Sequence, residues 1–592
     1  MRATLALLLA ALVVACGGSR APAAPAPDVR AAHPAVIRGT RDIPDTWPLR
    51  ATPVTAPNAM VVTAHPLATQ VGVDILKQGG NAIDAAVAVA FALEVVMPDA
   101  GNIGGGGFIV HRSATGEVSA IDYREMAPTG ASRDMYVDSA GNVTEASVAG
   151  HLAAGVPGSV AGLYEAWKRY GRLPWPQLLA PAVRLAGEGH VVDSARSKDI
   201  EYGVELLARF PASKAQYLVN DSAPPTGTWW KQPDLARTLR LISDSGPSVF
   251  YRGQIADLIV AEMQRGAGGG GLITKNDLAA YRPKWRTPIH LMYRGYTIYS
   301  MPPASSGGVT LGEILNIMEG YETLPAFGTA DYVHLEAEAM RRAFMDRNHY
   351  LGDPDFVRMP LGRLLSKSYA AQLRNQIDRR RATPTPTPAP PAVVGEPVHT
   401  THYSIVDAEG NAASVTTTLN SGFGSGVTVT GAGFLLNNEM DDFTSAPGKP
   451  NMYGLVQGDA NAIAPGKRML SAMTPSIVLD STDQLYMVVG TPGGPTIITT
   501  VAQVIMNVLD QGMSLAEAVA APRVHHQALP DVIRYERNGL SNATVQALIA
   551  MGHRVEMRRG EGMSGIVAAI QKTAGGWVGV ADPRYAGGAL GY

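Results

Sequence analysis

Thr400 stands where a proline-rich stretch, RATPTPTPAPPAVVGEP, gives way to HTTHYSIVDAEGNAASVTTTLN, so a hydroxyl marks the point at which an extended segment becomes a β-strand. A hydroxyl is a weak nucleophile until a base takes its proton. Were the chain cut between His399 and Thr400, the new α-amine, with an ordinary pKa of about 8, would be a base attached to that same residue. One residue would then carry both nucleophile and base. On pattern alone, Thr400, Thr401, Thr416, Thr417 and Thr418 are better explained as β-branched residues suited to strands.

The elements around Thr400 are readable. Tyr403 and Ile405 alternate with His402, Ser404 and Val406, the turn residues Asp407-Ala408-Glu409-Gly410-Asn411 follow, and a second run ends at Leu419. This predicts a β-hairpin opening at Thr400. Residues 382–397 are too rich in proline for a helix or central strand, and supply the extended flank a cleavage site needs. Further strands are predicted at 474–479 and 485–490, then a helix from about Ile497 to Asp510. Upstream, Leu67, Val71 and Ile75 give a helix over 66–78 that stops at Gly79-Gly80. Asn81 caps a second, very apolar helix ending near Pro98. Short strands at 108–110 and 120–123 flank the turn Ala114-Thr115-Gly116, and helical stretches dominate from 156 to about 352. Helices stacked beside strands predict an α/β sandwich. The run Gly104-Gly105-Gly106-Gly107 lacks the context of a phosphate cradle and is read as close backbone approach near the site.

Composition narrows the function. The 592 residues are 46% hydrophobic and carry 49 basic against 51 acidic side chains, with no concentrated basic face for nucleic acid. Cys16 is the only cysteine, so an intrachain disulfide is excluded. It closes Val13-Val14-Ala15-Cys16, after Arg2 and the run LALLLAALVV, which is too short to span a bilayer. This resembles a bacterial lipoprotein signal and implies a signal peptide over 1–15, lipidation of Cys16 and a tether over 16–55. Gly17 next to it implies the outer membrane, facing the periplasm, with a periplasmic enzyme as the other reading; the membrane is then met only through the lipid. The 85–97 segment contains Glu94 and reads as buried core. His399, His402, His525 and His526 lack a third ligand at metal spacing, so neither metal nor other cofactor is expected.

TTHYSIVDAEGNAASVTTTLN, GFLLNNEMDDF, PNMYGLVQGDANAIAPGKR, LSAMTPSIV, GTPGG, APRVHHQ and DPR resemble, in that order, the small subunit of γ-glutamyltranspeptidases. TAHPLATQVGVDILKQGGNAIDAAVAVAFALEVVMP, GNIGGGGFIVHR, IDYREMAP and MPPASSGG resemble the large one. The resemblance implies an N-terminal-nucleophile hydrolase of α+β class, a four-layer αββα sandwich, which cuts itself into a large subunit (56–399) and a small catalytic subunit (400–592) forming one compact heterodimer. Thr400 would be the nucleophile and Thr418 its orienting partner. Arg124 and Ser471 would receive the α-carboxylate of a γ-glutamyl donor, and Asn420, Glu439 and Asp442 its ammonium. The N–H groups of Gly493 and Gly494 would hold the oxyanion, and Tyr453 would close the lid loop over 447–467. Glutathione and other γ-glutamyl compounds are the implied donors, with amino acids, peptides or water as acceptors. The chain departs from the family pattern at Pro495-Thr496, where serine-arginine is usual, and at Ala472, where a second serine is usual. Two alternatives stay open: a cephalosporin (glutaryl) acylase of the same family, toward which Ala472 points, and a noncatalytic surface-binding lipoprotein.

Overall fold

The computed structural model describes residues 33–101, 103–266, 270–384, 400–446, 448–558 and 565–592. Cys16, the signal peptide, most of the proline-rich segment and His399 lie outside them.

Two antiparallel seven-stranded sheets form the centre. One runs Val54–Ala56, Gly576–Ala581, Ala568–Thr573, Leu485–Gly490, Ser476–Leu479, Tyr296–Ser300, Ile289–Tyr293. The other runs Gly588–Gly591, Met60–Thr63, Thr400–Val406, Ala412–Thr418, Gly106–Arg112, Val118–Asp122, Lys284–Arg286. Alternation decides how they pack. Val62, Phe108, Val110 and Val406 meet Ile477, Leu479, Val488 and Ile570 between the sheets. Their neighbours Val61, Ile109, Ile121, Tyr403 and Ile405 face outward onto helices Pro66–Lys77, Ala82–Val96 and Ser159–Tyr170. On the far side Val478, Met487, Val489 and Ala569 meet helices Gly307–Glu319, Ala330–Tyr350 and Thr496–Leu509. The result is the expected αββα sandwich. Because both faces of each sheet are covered, the central strands are apolar or Thr/Ser-rich throughout.

The local signals act as read. Asn81 caps Ala82–Val96 in a capping box with Asp84. Glu94 of that helix is buried, and its carboxylate accepts the Ile103 N–H at 2.6 Å. The predicted tether needs a correction over 33–55: Val36–Arg38 pairs in parallel with Thr323–Pro325, Trp47 is buried with Nε1 donating to the Ala520 carbonyl at 2.9 Å, and Val54–Ala56 begins the edge of a sheet. Backbone pairing of three-residue strands leaves no hydrophobic period to detect, so composition alone made this segment look like linker.

Candidate active site

Thr400 opens its strand directly opposite Thr418, and Thr418 in turn faces Gly106 on the next strand. The Thr400 and Thr418 hydroxyls are 3.1 Å apart, both buried. Thr400 shares the face of His402, Ser404 and Val406, so its hydroxyl points between the sheets. The glycine run lets this corner close: a Cβ on Gly105 would lie 2.0 Å from the Thr418 carbonyl oxygen.

Beyond Thr418 the chain turns at Asn420, in the left-handed region at φ +80°, where its N–H donates to Thr418 Oγ1 at 2.7 Å. The Asn420 side chain donates to the Asn438 carbonyl at 3.0 Å. Two adjacent asparagines fix that loop: Asn437 bonds both the N–H and the carbonyl of Gly155 and the carbonyl of Gly104, while Asn438 donates to Val148 and Ser421. The loop then delivers the 3-10 turn Glu439–Asp442.

Arg124 meets this turn from the other subunit region. It is fully buried, with Nη1 2.6 Å from Glu439, Nη2 bonded to Asp442, and Nε donating to the Met469 carbonyl at 3.3 Å. Burial alone would lower its pKa, but Glu439, Asp442 and Glu125 more than offset this and raise it. Burial raises Glu439 and Asp442 with Arg124 opposing, and lifts Glu125 to about 7 against the same opposition. Three carboxylates around Arg124 leave an excess of negative charge, which one bound proton relieves. Arg124 therefore stands behind Asp442, which lines the cleft.

The cleft at Thr400 is walled by Thr418, Asn420, Asp442, Tyr453, Ser471 and Gly494. Only about 20 Å³ is open to the centres of water molecules, roughly one water's share. Tyr453 accounts for the closure. Its hydroxyl donates to the Asn420 carbonyl at 2.8 Å, its carbonyl accepts from Gln527 at 3.1 Å, and a Cβ on Gly494 would come within 2.9 Å of its ring. Asn451 shapes the loop by accepting the N–H groups of Tyr453 and Leu455, each at 3.1 Å.

Gly493 and Gly494 adopt φ +140° and +55° just ahead of helix Thr496–Leu509, and their N–H groups donate to no described residue. Two unspent donors before a helix N-terminus form a place for negative charge. Pro495 is the N-cap, a position that needs no donor, so this departure leaves both N–H groups in place.

Ser471 reaches the cleft through a clamp that no motif assigned a role. Its carbonyl accepts from the Ser306 hydroxyl at 2.6 Å, Ser305 binds the Met473 carbonyl at 2.6 Å, and Ser471 Oγ accepts the Met473 N–H at 3.1 Å. MPPASSGG thus holds the cleft-lining segment in place. Ala472 lines the same wall without a polar side chain.

The histidines are spent on structure. His402 bonds Thr416 and Ser404, with burial pushing its pKa down to about 3; His525 bonds Thr499 and Gln527, and His526 bonds Asp531. One set of metal-capable side chains is brought together among the described residues: His334, Glu338 and His553. Its ring nitrogens already share a hydrogen bond of 2.7 Å, and the Glu338 carboxylate is taken by Thr383 and Arg342. The set clasps the end of the large-subunit region to the small one, about 20 Å along helix Ala330–Tyr350 from the cleft residue Arg347.

The sandwich, with a threonine opening a central strand beside paired N–H groups, defines an enzyme of the N-terminal-nucleophile hydrolase class. A family profile described as Gamma-glutamyltranspeptidase matches residues 68–592. The chain is 48% identical over 536 residues to a glutathione hydrolase proenzyme of Escherichia coli K12, covering 90% of this chain and 91% of the relative. Among solved structures it resembles a cephalosporin acylase from Bacillus halodurans (TM-score 0.80, 31% identity, 92% of this chain and 98% of that one). It also resembles the γ-glutamyltranspeptidase of Helicobacter pylori (TM-score 0.53, 42% identity, 57% and 95%). The chain belongs to the γ-glutamyltranspeptidase family.

Proposed function

We propose that the protein is an exported, self-processing γ-glutamyltransferase and glutathione hydrolase. In maturation, Thr400 Oγ attacks the His399 carbonyl, its proton passes to the amide nitrogen as the peptide bond breaks, and water hydrolyses the ester. His399 is left with a carboxyl end and Thr400 with a free amine. In turnover, that amine takes the hydroxyl proton as Oγ attacks the γ-carbonyl of glutathione or a related donor. Gly493 and Gly494 receive the oxyanion, and the protonated amine returns its proton to the leaving nitrogen. An amino acid, peptide or water then takes the γ-glutamyl group from Thr400.

The observation that carries this reading is the Thr400–Thr418 hydroxyl contact in a cleft lined by Asp442, Asn420 and Gly494. Asn420, Glu439 and Asp442 are the proposed acceptors of the donor's ammonium. Arg124 is the proposed partner of its carboxylate, which requires it to exchange one of its present carboxylate contacts. Likeness to a cephalosporin acylase keeps glutaryl donors as the second reading. A glutaryl group keeps the carboxylate but lacks the ammonium, leaving Asp442 without a cation to bind. The lipid-anchored location rests on the sequence around Cys16; no helix among the described residues is long and apolar enough to cross a membrane.

Purified, processed protein assayed with γ-glutamyl-p-nitroanilide and glutathione, with and without a dipeptide acceptor, tests the proposal. Turnover that the dipeptide accelerates supports transfer, and turnover unaffected by it supports hydrolysis alone. Turnover of glutaryl-p-nitroanilide in preference to the γ-glutamyl donor would move the enzyme to the acylase reading.

A further inference from the structure

Gln527 follows the short strand Val524–His525, is 3% exposed, and is not among the residues that wall the cleft. Its Nε2 donates to the Tyr453 carbonyl at 3.1 Å and to the Leu529 carbonyl at 3.2 Å. Two carbonyl partners fix which amide atom is the nitrogen, so Oε1 accepts, and it accepts from His525 Nε2 at 2.9 Å. Burial draws the His525 pKa down to about 3, and the neutral ring then carries its one proton on Nε2. Nδ1 is left to accept the Thr499 hydroxyl at 2.9 Å, which commits the only proton of that hydroxyl to His525 ahead of the Thr496 carbonyl 3.2 Å away. Thr496 and Thr499 lie in the first turn of helix Thr496–Leu509, and Thr496 Oγ1 donates to the Gly493 carbonyl at 2.7 Å. Each proton in this run has one place. With the contacts from Tyr453 through Asn420 and Thr418 to Thr400, the run joins the lid to the nucleophile on one side and to the oxyanion glycines on the other.

We propose that Gln527 is a positioning residue that latches Tyr453 over the acyl group on Thr400, and so sets how that group divides between water and an amine acceptor. The inference rests on the γ-glutamyl reading and adds to it a residue that acts from behind the lid. Tyr453 is held at both ends, by its hydroxyl on Asn420 and by its carbonyl on Gln527, and its ring lies against Gly494. Gln527 is itself fixed through His525 and Thr499 to the helix behind Gly493 and Gly494, so the latch has a rigid base. A dipeptide brings binding energy with which to displace the latched ring, whereas water brings almost none. Loosening the carbonyl end therefore speeds attack by water more than attack by a dipeptide.

The test uses matured enzyme with γ-glutamyl-p-nitroanilide and a fixed concentration of glycylglycine, and measures free glutamate and γ-glutamyl-glycylglycine. Gln527→Met keeps the length of the side chain and removes both donated protons. It is expected to raise the ratio of glutamate to dipeptide product about five- to tenfold, the range of one lost hydrogen bond, with KM for the donor within about twofold of wild type. Gln527→Glu, whose carboxyl offers at most one proton to two carbonyls, should move the ratio in the same direction and carries the test if Gln527→Met does not mature. An unchanged or lowered ratio in matured variants, or failure of both variants to mature, would overturn the inference in favour of a folding role. A wild-type enzyme that turns over the donor but forms no dipeptide product would overturn it as well, because the latched lid would then not be keeping water back. Wild-type enzyme inactive on γ-glutamyl donors would overturn the functional reading itself.

Discussion

Replacing Thr418 by valine keeps the shape of a buried side chain and removes one oxygen. That oxygen accepts the Asn420 N–H at 2.7 Å and lies 3.1 Å from the Thr400 hydroxyl. Asn420 is itself buried and holds a left-handed turn, so its N–H would be left without a partner. An unsatisfied buried donor costs about 1–3 kcal/mol. The lost bond to the nucleophile adds about 1 kcal/mol to the acylation barrier, roughly fivefold in rate. Loosening Asn420 also frees the carbonyl on which the Tyr453 hydroxyl rests, so the expected fall in acylation rate is about tenfold. Single-turnover release of p-nitroaniline from the γ-glutamyl anilide reads acylation, and gel densitometry reads the appearance of the small subunit. Both should slow together, because both need the same hydroxyl oriented. Thr418→Ser should recover most of each rate. A valine variant that matures and acylates at wild-type rates would refute the orienting role of Thr418.

Three further perturbations follow from the same geometry. Arg124→Ala leaves buried Glu439 and the cleft-lining Asp442 side by side without their cation; the expected cost is about 3–5 kcal/mol, seen as a lower Tm and incomplete maturation, whereas wild-type Tm and KM would place Arg124 outside the machinery. Ala472→Ser adds a hydroxyl to the cleft wall and should lower KM for γ-glutamyl donors up to about fivefold but leave 4-aminobutyryl donors, which lack the carboxylate, unchanged; equal effects on both would mean packing, not carboxylate recognition. Burial of Glu94 lifts its pKa from 4.5 to about 8, so the folded chain keeps a proton that the unfolded chain releases between those values. The stability from that proton is full below pH 4.5 and lost by pH 8, so denaturant midpoints should fall across that window; Glu94→Gln should flatten the fall by up to a few kcal/mol, and an unchanged slope would contradict it.

The strands and helices nearest Thr400 were legible because each carries its own local signal: the Asn81–Asp84 cap, the Asp407–Gly410 turn, and alternation from Tyr403 to Val406. The Glu439, Asp442 and glycine pairs were legible only through resemblance, since isolated acidic residues and glycines have many uses. Gln527 and the Ser305–Ser306 clamp were not legible as functional parts. Gln527 meets the lid only when its segment packs against Tyr453, 74 residues away in sequence. The tight pairing of Arg124 with Glu439 and Asp442 was hidden for the same reason. Residues 33–55 look like linker in sequence because three-residue strands and a single buried Trp47 leave no period.

The account depends most on Thr400 becoming an amino terminus. Intact-mass and amino-terminal sequencing of the purified protein should show a small chain running from Thr400 to Tyr592, and Thr400→Ala should give one uncut, inactive polypeptide. A small chain beginning at any other residue, or full activity in an uncut chain, would contradict it.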